Sequence, residues 1–276
     1  MLFDSDESPD WHSRTPAVEE PIRDPRIVVG GGYGESKWIA ERLLEIAAEK
    51  SGLRPVIVRI GQLSGGRNGS WNISEWIPAV VRSGEVVGAL PSSDDVCDGN
   101  FEECAWLIIL FLQVVSWLPL HVAAAAIIDF RNSKAQTVHL AHPNPVPWTD
   151  VFGPIAAALR VPLIPYADWL ARLEADLADK SRTEAEAAMN NPALHLISMF
   201  RPFRDGGVKT EAREAMGVPL LQTTEAVKAS PALRRQNLAP LNAKDALAWV
   251  KFWKSAGLLK SSLADVSIFS EADTRV

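Results

Sequence analysis

The sequence has little cysteine. Its 276 residues hold two, Cys97 and Cys104, which excludes a disulfide scaffold and a Cys-rich zinc module. Neither C-x-x-C nor H-E-x-x-H occurs, so no metal site is expected. There is no basic excess either: Lys plus Arg number 28 against 34 Asp plus Glu, a formal net charge of -6. That balance argues against a nucleic-acid surface. The longest unbroken apolar run, Ala105 to Leu112, falls well short of the ~20 residues of a membrane span. The opening MLFDSDESPDWHSR is acidic and lacks the basic-then-apolar order of a signal peptide. The expectation is a soluble cytoplasmic protein with no membrane or nucleic-acid partner. Internal repeats and low-complexity tracts are absent too.

What is present suits a folded chain of one large or two small domains: 47% hydrophobic and 22% charged residues. Ten Trp point to a large, partly aromatic core or an apolar substrate cleft. Residues 1–26, rich in Asp, Glu, Ser and Pro, read as a loop or disordered arm, and Ser270–Val276 reads likewise. Ile39, Leu43, Leu44, Ile46 and Ala47 repeat at helical spacing, predicting a helix over Tyr33–Lys50 that Gly52 stops. Pro55–Ile60 reads as a buried strand, Gly61–Gly69 as a loop where backbone can approach a ligand, and Ser74–Ser83 as a helix with Ser74 at its N-cap. Val122–Phe130 reads as an Ala-rich helix and Gln136–Ala141 as a strand. Pro143, Pro145 and Pro147 mark a boundary, and helices are expected near Trp148–Leu159, Ala167–Asp179, Arg182–Met189 and Asn242–Leu258. The organisation predicted is therefore an arm over 1–26, an α/β unit over 27–142 and a mainly helical part over 143–276.

The residues that carry chemistry are Tyr33-Gly34-Glu35-Ser36-Lys37. Tyr and Lys at i and i+4 stack on one helix face. An ammonium beside a phenol favours the phenolate, so the phenol can give its proton to a carbonyl oxygen while a hydride reaches the carbon. The same ammonium can hydrogen-bond a ribose. By itself the pentapeptide reads sooner as a surface pair on an amphipathic helix.

Its surroundings extend the pattern. Gly-Tyr-Gly-x-Ser-Lys-Trp runs on into Ala40-Glu41-Arg42, and Arg59-Ile60-Gly61-Gln62-Leu63-Ser64-Gly65 follows. Then come Gly69-Ser70-Trp71-Asn72, Glu75-Trp76-Ile77-Pro78, Gly88-Ala89-Leu90-Pro91, Trp117-Leu118-Pro119, and His142-Pro143 through Pro147-Trp148. This series resembles the extended short-chain dehydrogenase/reductases. More narrowly, it resembles the thioester-reductase (male-sterility-like) domains of fungal adenylating reductases and nonribosomal-peptide-synthetase-like proteins. The resemblance runs from about Pro16 to Leu258. It implies a Rossmann-like fold and NADPH-dependent reduction of an acyl thioester, carried on the phosphopantetheine of a carrier domain, to an aldehyde. Tyr33 would be the proton donor. Lys37 would orient the ribose, and Gly61 and Gln62 would bring backbone to the nicotinamide.

The sequence departs from that family in three places. No Gly-x-x-Gly-x-x-Gly turn between a strand and a helix is present to hold the cofactor phosphates. The expectation is thus a partial Rossmann-like parallel sheet lacking its first strands, an N-terminally truncated domain that does not act alone. Ser93 to Gln113 is extra, and Leu107–Gln113 reads like a translated polypyrimidine tract with its splice acceptor. A retained intron is expected there, with a genuine hydrophobic insert as the alternative. Cys97 and Cys104 fall inside it. His121 stands where the family has a capping Asp, while His12, His139, His142 and His195 read as surface or packing residues. Two other functions compete: a non-catalytic remnant or carrier-binding module, and a different extended short-chain dehydrogenase or epimerase. The Gly-Gln segment and the Trp-rich second half argue against the last.

Overall fold

The computed structural model describes residues 16–30, 32–92, 114–203, 214 and 219–260. The readings made for residues 1–15, 93–113 and 270–276, and with them Cys97 and Cys104, lie outside the described residues. Among the described residues, eight short strands are interspersed with helices: β1 (Ile57–Ile60), β2 (Leu63–Ser64), β3 (Leu90–Pro91), β4 (Val114–Val115), β5 (Leu118–Pro119), β6 (Thr137–Leu140), β7 (Val146–Pro147) and β8 (Leu163–Ile164). The fold is α/β. β1 and β6 pair in parallel with Ile57 opposite Thr137 and Ile60 opposite Leu140. The pairs β2–β5 and β3–β8 are parallel as well, and β4–β7 is antiparallel. Both strands expected to share a parallel sheet do so. The helix Leu120–Phe130 lies between β1 and β6 in the chain and packs Ala123, Ala126 and Phe130 against Val138 and Leu140.

Helices form where apolar periodicity meets a cap. Thr183 opens Glu184–Asn190 and Asn242 opens Ala243–Ser255, each through a reciprocal capping box. Ser74 is not the cap expected of it. Its N–H donates to Asn72 Oδ1 at 3.1 Å, and the helix begins two residues later, at Trp76. An Asx turn at Asn72 competes with the helix for that backbone. The helix also continues past Ser83 to Val87. Gly84 lies inside it, and its bare Cα is needed: a Cβ there would stand 2.7 Å from Leu90 Cδ2. His121 is likewise not at a cap. The helix starts at Leu120 behind Pro119, which places His121 in its first turn.

The helix Gly32–Ser51 is the larger surprise. Its periodic apolar residues are not its packed face. Ile39, Leu43, Leu44 and Ile46 are exposed, and the one buried side chain is Glu45. Glu45 is paired with Arg42 and lies 3.6 Å from Arg23. The inward face of this helix meets the arm. Residues 16–24 are irregular yet tied down: Trp38 Nε1 donates to Ile22 O at 2.8 Å, and Ala17 bridges to Leu221.

Two apolar clusters organise the rest. The smaller joins the β1–β6 layer to the helix Leu120–Phe130 and to Ala226, Leu233 and Leu238. The larger gathers the helices Trp76–Val87, Trp148–Leu159, Tyr166–Leu177 and Ala243–Ser255 around tryptophans. Trp71 meets Trp249 edge-on at 4.9 Å and Trp117 at 5.7 Å. Trp148 stacks on Phe152 at 3.7 Å. Six tryptophans in this cluster are buried, so most of the unusual Trp content is core. Each cluster draws on residues from both sides of Pro143.

Candidate active site

Tyr33 stands in the first turn of the helix Gly32–Ser51 and is 79% exposed. The turn before it is closed by Gly30, whose N–H donates to Glu35 Oε1 at 3.0 Å, and the Ser36 hydroxyl donates to Tyr33 O at 2.7 Å. Lys37 folds back over the phenol, its Nζ 5.0 Å from the ring centroid. The structure therefore brings Tyr33 and Lys37 together. The pair makes a cation–π contact on an exposed turn of the helix.

The helix is held to β1 by a two-pronged ion pair. Arg59 Nε and Nη2 donate to the two oxygens of Glu41 at 2.9 and 2.7 Å, and Arg59 Nη1 reaches Glu20 O at 3.1 Å. Only five residues separate Ser51 from Ile57, so the helix runs back along β1. Its N-terminal turn, with Tyr33, lies toward the carboxyl end of the strand. Gly61 and Gln62 follow directly from that end. Open α/β sheets bind their ligands there.

Gly61 donates its N–H to Leu140 O at 3.0 Å, and a Cβ on it would touch Ala141 at 3.4 Å. The side chain of Gln62 is fully engaged with protein. Its Oε1 accepts from Trp76 Nε1 at 2.7 Å, and its Nε2 donates to Leu63 O at 2.6 Å. Glu75 Oε2 accepts from Trp71 Nε1 at 2.9 Å and lies 3.4 Å from Gln62 Nε2. Backbone, not amide, is what this residue can offer a ligand. Trp71, Glu75 and Trp76 escaped the reading from spacing, because nothing in their separation marks a hydrogen-bonded clamp. Among the described residues no hydrogen bond joins Tyr33 or Lys37 to Gly61 or Gln62, and no group of His, Cys, Asp and Glu could hold a metal ion.

The histidines read as packing residues divide. His139 and His142 are buried, and His139 is pushed down to about 4 by burial and by the charge of Arg59. Burial and the charge of Arg67 also lower His121, whose Nδ1 has no partner among the described residues.

Residues 8–104 match the protein family described as male sterility protein, a NAD-binding family. An adenylate-forming reductase of Heterobasidion annosum, Nps10, is 36% identical over 245 residues, which are 88% of this chain and 21% of that protein. Nps11 of Serpula lacrymans, another adenylate-forming reductase, is 35% identical over 263 residues, 89% of this chain and 22% of its own length. The matched stretch is a male sterility, NAD-binding domain. The chain spans about a fifth of the length of these curated relatives. A carboxylic acid reductase of Neurospora crassa is more distant, 27% identical over 71% of this chain and 18% of that protein. Among solved structures, the terminal R domain from the myxalamid PKS-NRPS pathway superposes with a TM-score of 0.65 at 23% identity, covering 90% of this chain and 56% of that one. That likeness shows the fold. The family match supports a nicotinamide dinucleotide as the cofactor class. No helix among the described residues is long and apolar enough to cross a membrane.

Proposed function

We propose that this chain supplies the proton-donating part of an NADPH-dependent reductase that turns a carrier-bound acyl thioester into an aldehyde. The observation that carries the reading is Lys37 Nζ set 5.0 Å over the Tyr33 ring, toward the carboxyl end of a parallel strand pair. The residues present fit the nicotinamide and ribose end of a dinucleotide. They do not offer the Gly-rich turn and helix N-terminus that hold a pyrophosphate. When bound, the dinucleotide supplies the hydride.

The chain's own residues do the rest. Tyr33 gives its hydroxyl proton to the thioester carbonyl oxygen as the carbonyl carbon gains the hydride. The Lys37 ammonium stabilises the phenolate left behind and is placed to donate to a ribose hydroxyl. The resulting hemithioacetal expels the carrier thiol and leaves the aldehyde. Trp71, Glu75 and Trp76 fix Gln62, so the backbone beyond β1 keeps one position. The relatives support the substrate class by name only: adenylate-forming reductases, a carboxylic acid reductase and the non-reducing polyketide synthase dbaI of Emericella nidulans. Their kind makes a phosphopantetheinylated carrier domain the expected partner and the cytoplasm the expected place.

The test is a chimera in which this chain replaces the matching stretch of the Heterobasidion Nps10. It should reduce a carrier-bound thioester with NADPH, and Tyr33→Phe should lower turnover by about 10²–10⁴ without weakening NADPH binding. A chimera that binds NADPH yet reduces no thioester would mark the chain as a non-catalytic remnant.

A further inference from the structure

The helix Ala243–Ser255 has one face in the larger apolar cluster and one in water. Ala246, Trp249, Val250 and Trp253 are buried. Lys244, Leu247 and Lys251, at i, i+3 and i+7, fall together on the opposite face. All three are exposed, Leu247 at 47%. The charge on this face has one sign. The helix holds a single acid, Asp245, whose Oδ2 accepts the Asn242 N–H in the capping box. In a chain of formal net charge -6, a merely solvated face would mix both signs. This one sets lysines around an exposed leucine.

The face lies at the end of the sheet toward which Tyr33 stands. The Gly61–Gly69 loop leaves the carboxyl end of β1 and closes on this helix. A Cβ on Gly65 would stand 2.6 Å from Trp249 Cδ1, and one on Gly69 2.2 Å from Ala248 O. Ala248 borders the lysine face, so the exposed Arg67 between those glycines lies next to it. The segment entering the helix is pinned to the same end. His142, two residues past β6, donates from Nε2 to Ala239 O at 3.0 Å while its Nδ1 accepts the Asn144 N–H. The charges of Arg67 and Asp245 both act on His121, two residues past β5.

We infer that Lys244, Leu247, Lys251 and Arg67 form the surface on which the carrier domain docks, receiving a helix that bears carboxylates around an apolar side chain. The inference rests on the proposed reduction of a carrier-bound thioester, whose acyl group reaches Tyr33 only from a carrier settled at this end of the sheet. Unlike charges steer and orient the two partners, and the leucine supplies the apolar contact at the centre. A second copy of this chain fits less well, because it would set lysines against lysines.

Binding reads the surface without turnover. The full chain is titrated in a calorimeter with a phosphopantetheinylated, net-acidic acyl carrier domain. Micromolar binding is expected, weakened about tenfold in Lys244→Glu and in Lys251→Glu. It should vanish by ~1 M salt, where the screening length falls to about 3 Å. Lys180→Glu, the same charge change on the exposed loop after the helix Tyr166–Leu177, should leave the affinity as it is. Lysines in place of the carrier's carboxylates should restore binding to the Lys244→Glu chain. In the Nps10 chimera, the same two substitutions should lower kcat/KM about tenfold for the carrier-bound thioester relative to a pantetheine thioester, which has the arm and no carrier protein. A chimera that reduces neither thioester, while the full chain still binds the carrier through these lysines, would end the reductase reading and keep the docking surface. No binding, equal binding by the charge-reversed chains, or capture of phosphatidylserine vesicles or a second copy on this face in place of the carrier would each overturn the assignment.

Discussion

His139 faces two ways at once. Its Nδ1 carries the hydrogen and donates to Gln222 O, while its Nε2 is buried with no partner among the described residues. Adding a proton would put a charge into a dry site beside Arg59, and burial with that charge holds the ring down at about 4 from an ordinary 6.5. The folded state therefore binds fewer protons than the unfolded chain between these values. Stability from this group is present above pH 6.5 and is lost as pH falls toward 4. The loss should approach roughly 3 kcal/mol and should shrink in His139→Leu relative to its own neutral-pH stability. Urea unfolding at several pH values measures it; an acid limb unchanged by the substitution would assign the loss elsewhere. At this scale the sequence shows pairs close along the chain and little else. Tyr33 and Lys37 were legible because a helix turns four residues into one contact. Glu19, which also takes the N–H of Ala226 at 3.0 Å, was invisible inside an arm that reads as disordered. Its partners lie 120 and 207 positions away.

The elements were legible in proportion to their length and caps. Trp148–Leu159 follows from periodicity after a Pro, and Ala243–Ser255 from its Asn242 box. Two-residue strands such as β2 and β3 carry no period to read. In the Gly61–Gly69 loop, one glycine has a packing reason that the pattern does not show. Gly69 has φ 78°, and a Cβ there would stand 2.2 Å from Ala248 O. Close approach is needed here, and the neighbour at Gly69 is the helix carrying Trp249. Gly69→Ala should thus cost about 3 kcal/mol, from a strained backbone and a clash that no rotamer relieves. Because Trp249 packs on Trp71, the tryptophan emission should shift with it. A variant of wild-type stability and emission would mean that the loop moves freely off the helix.

At the scale of the molecule, the α/β class and the parallel pairing of β1 with β6 were readable, since helix, glycine and short apolar strand alternate in order. What the chain order hides is that the two apolar clusters interleave, and that the helix bearing Tyr33 keeps its apolar stripe outside both. Activity turns on the cofactor. Reduction requires the nicotinamide to be held beside Tyr33 before any proton moves, and effective positioning depends on binding first. On the proposed reading, Lys37 and the backbone at Gly61 and Gln62 would grip one end of a dinucleotide. Its pyrophosphate carries charge that a Gly-rich turn and a helix N-terminus commonly neutralise, and this sequence shows no such turn. Residues 1–276 alone should therefore show no micromolar NADPH binding and no thioester turnover, and Tyr33→Phe should change nothing in that isolated chain. Calorimetric titration with NADPH, followed by an assay with a coenzyme A thioester, decides it. Micromolar binding with turnover that disappears in Tyr33→Phe would mean that the chain builds its phosphate site from other groups and works unaided.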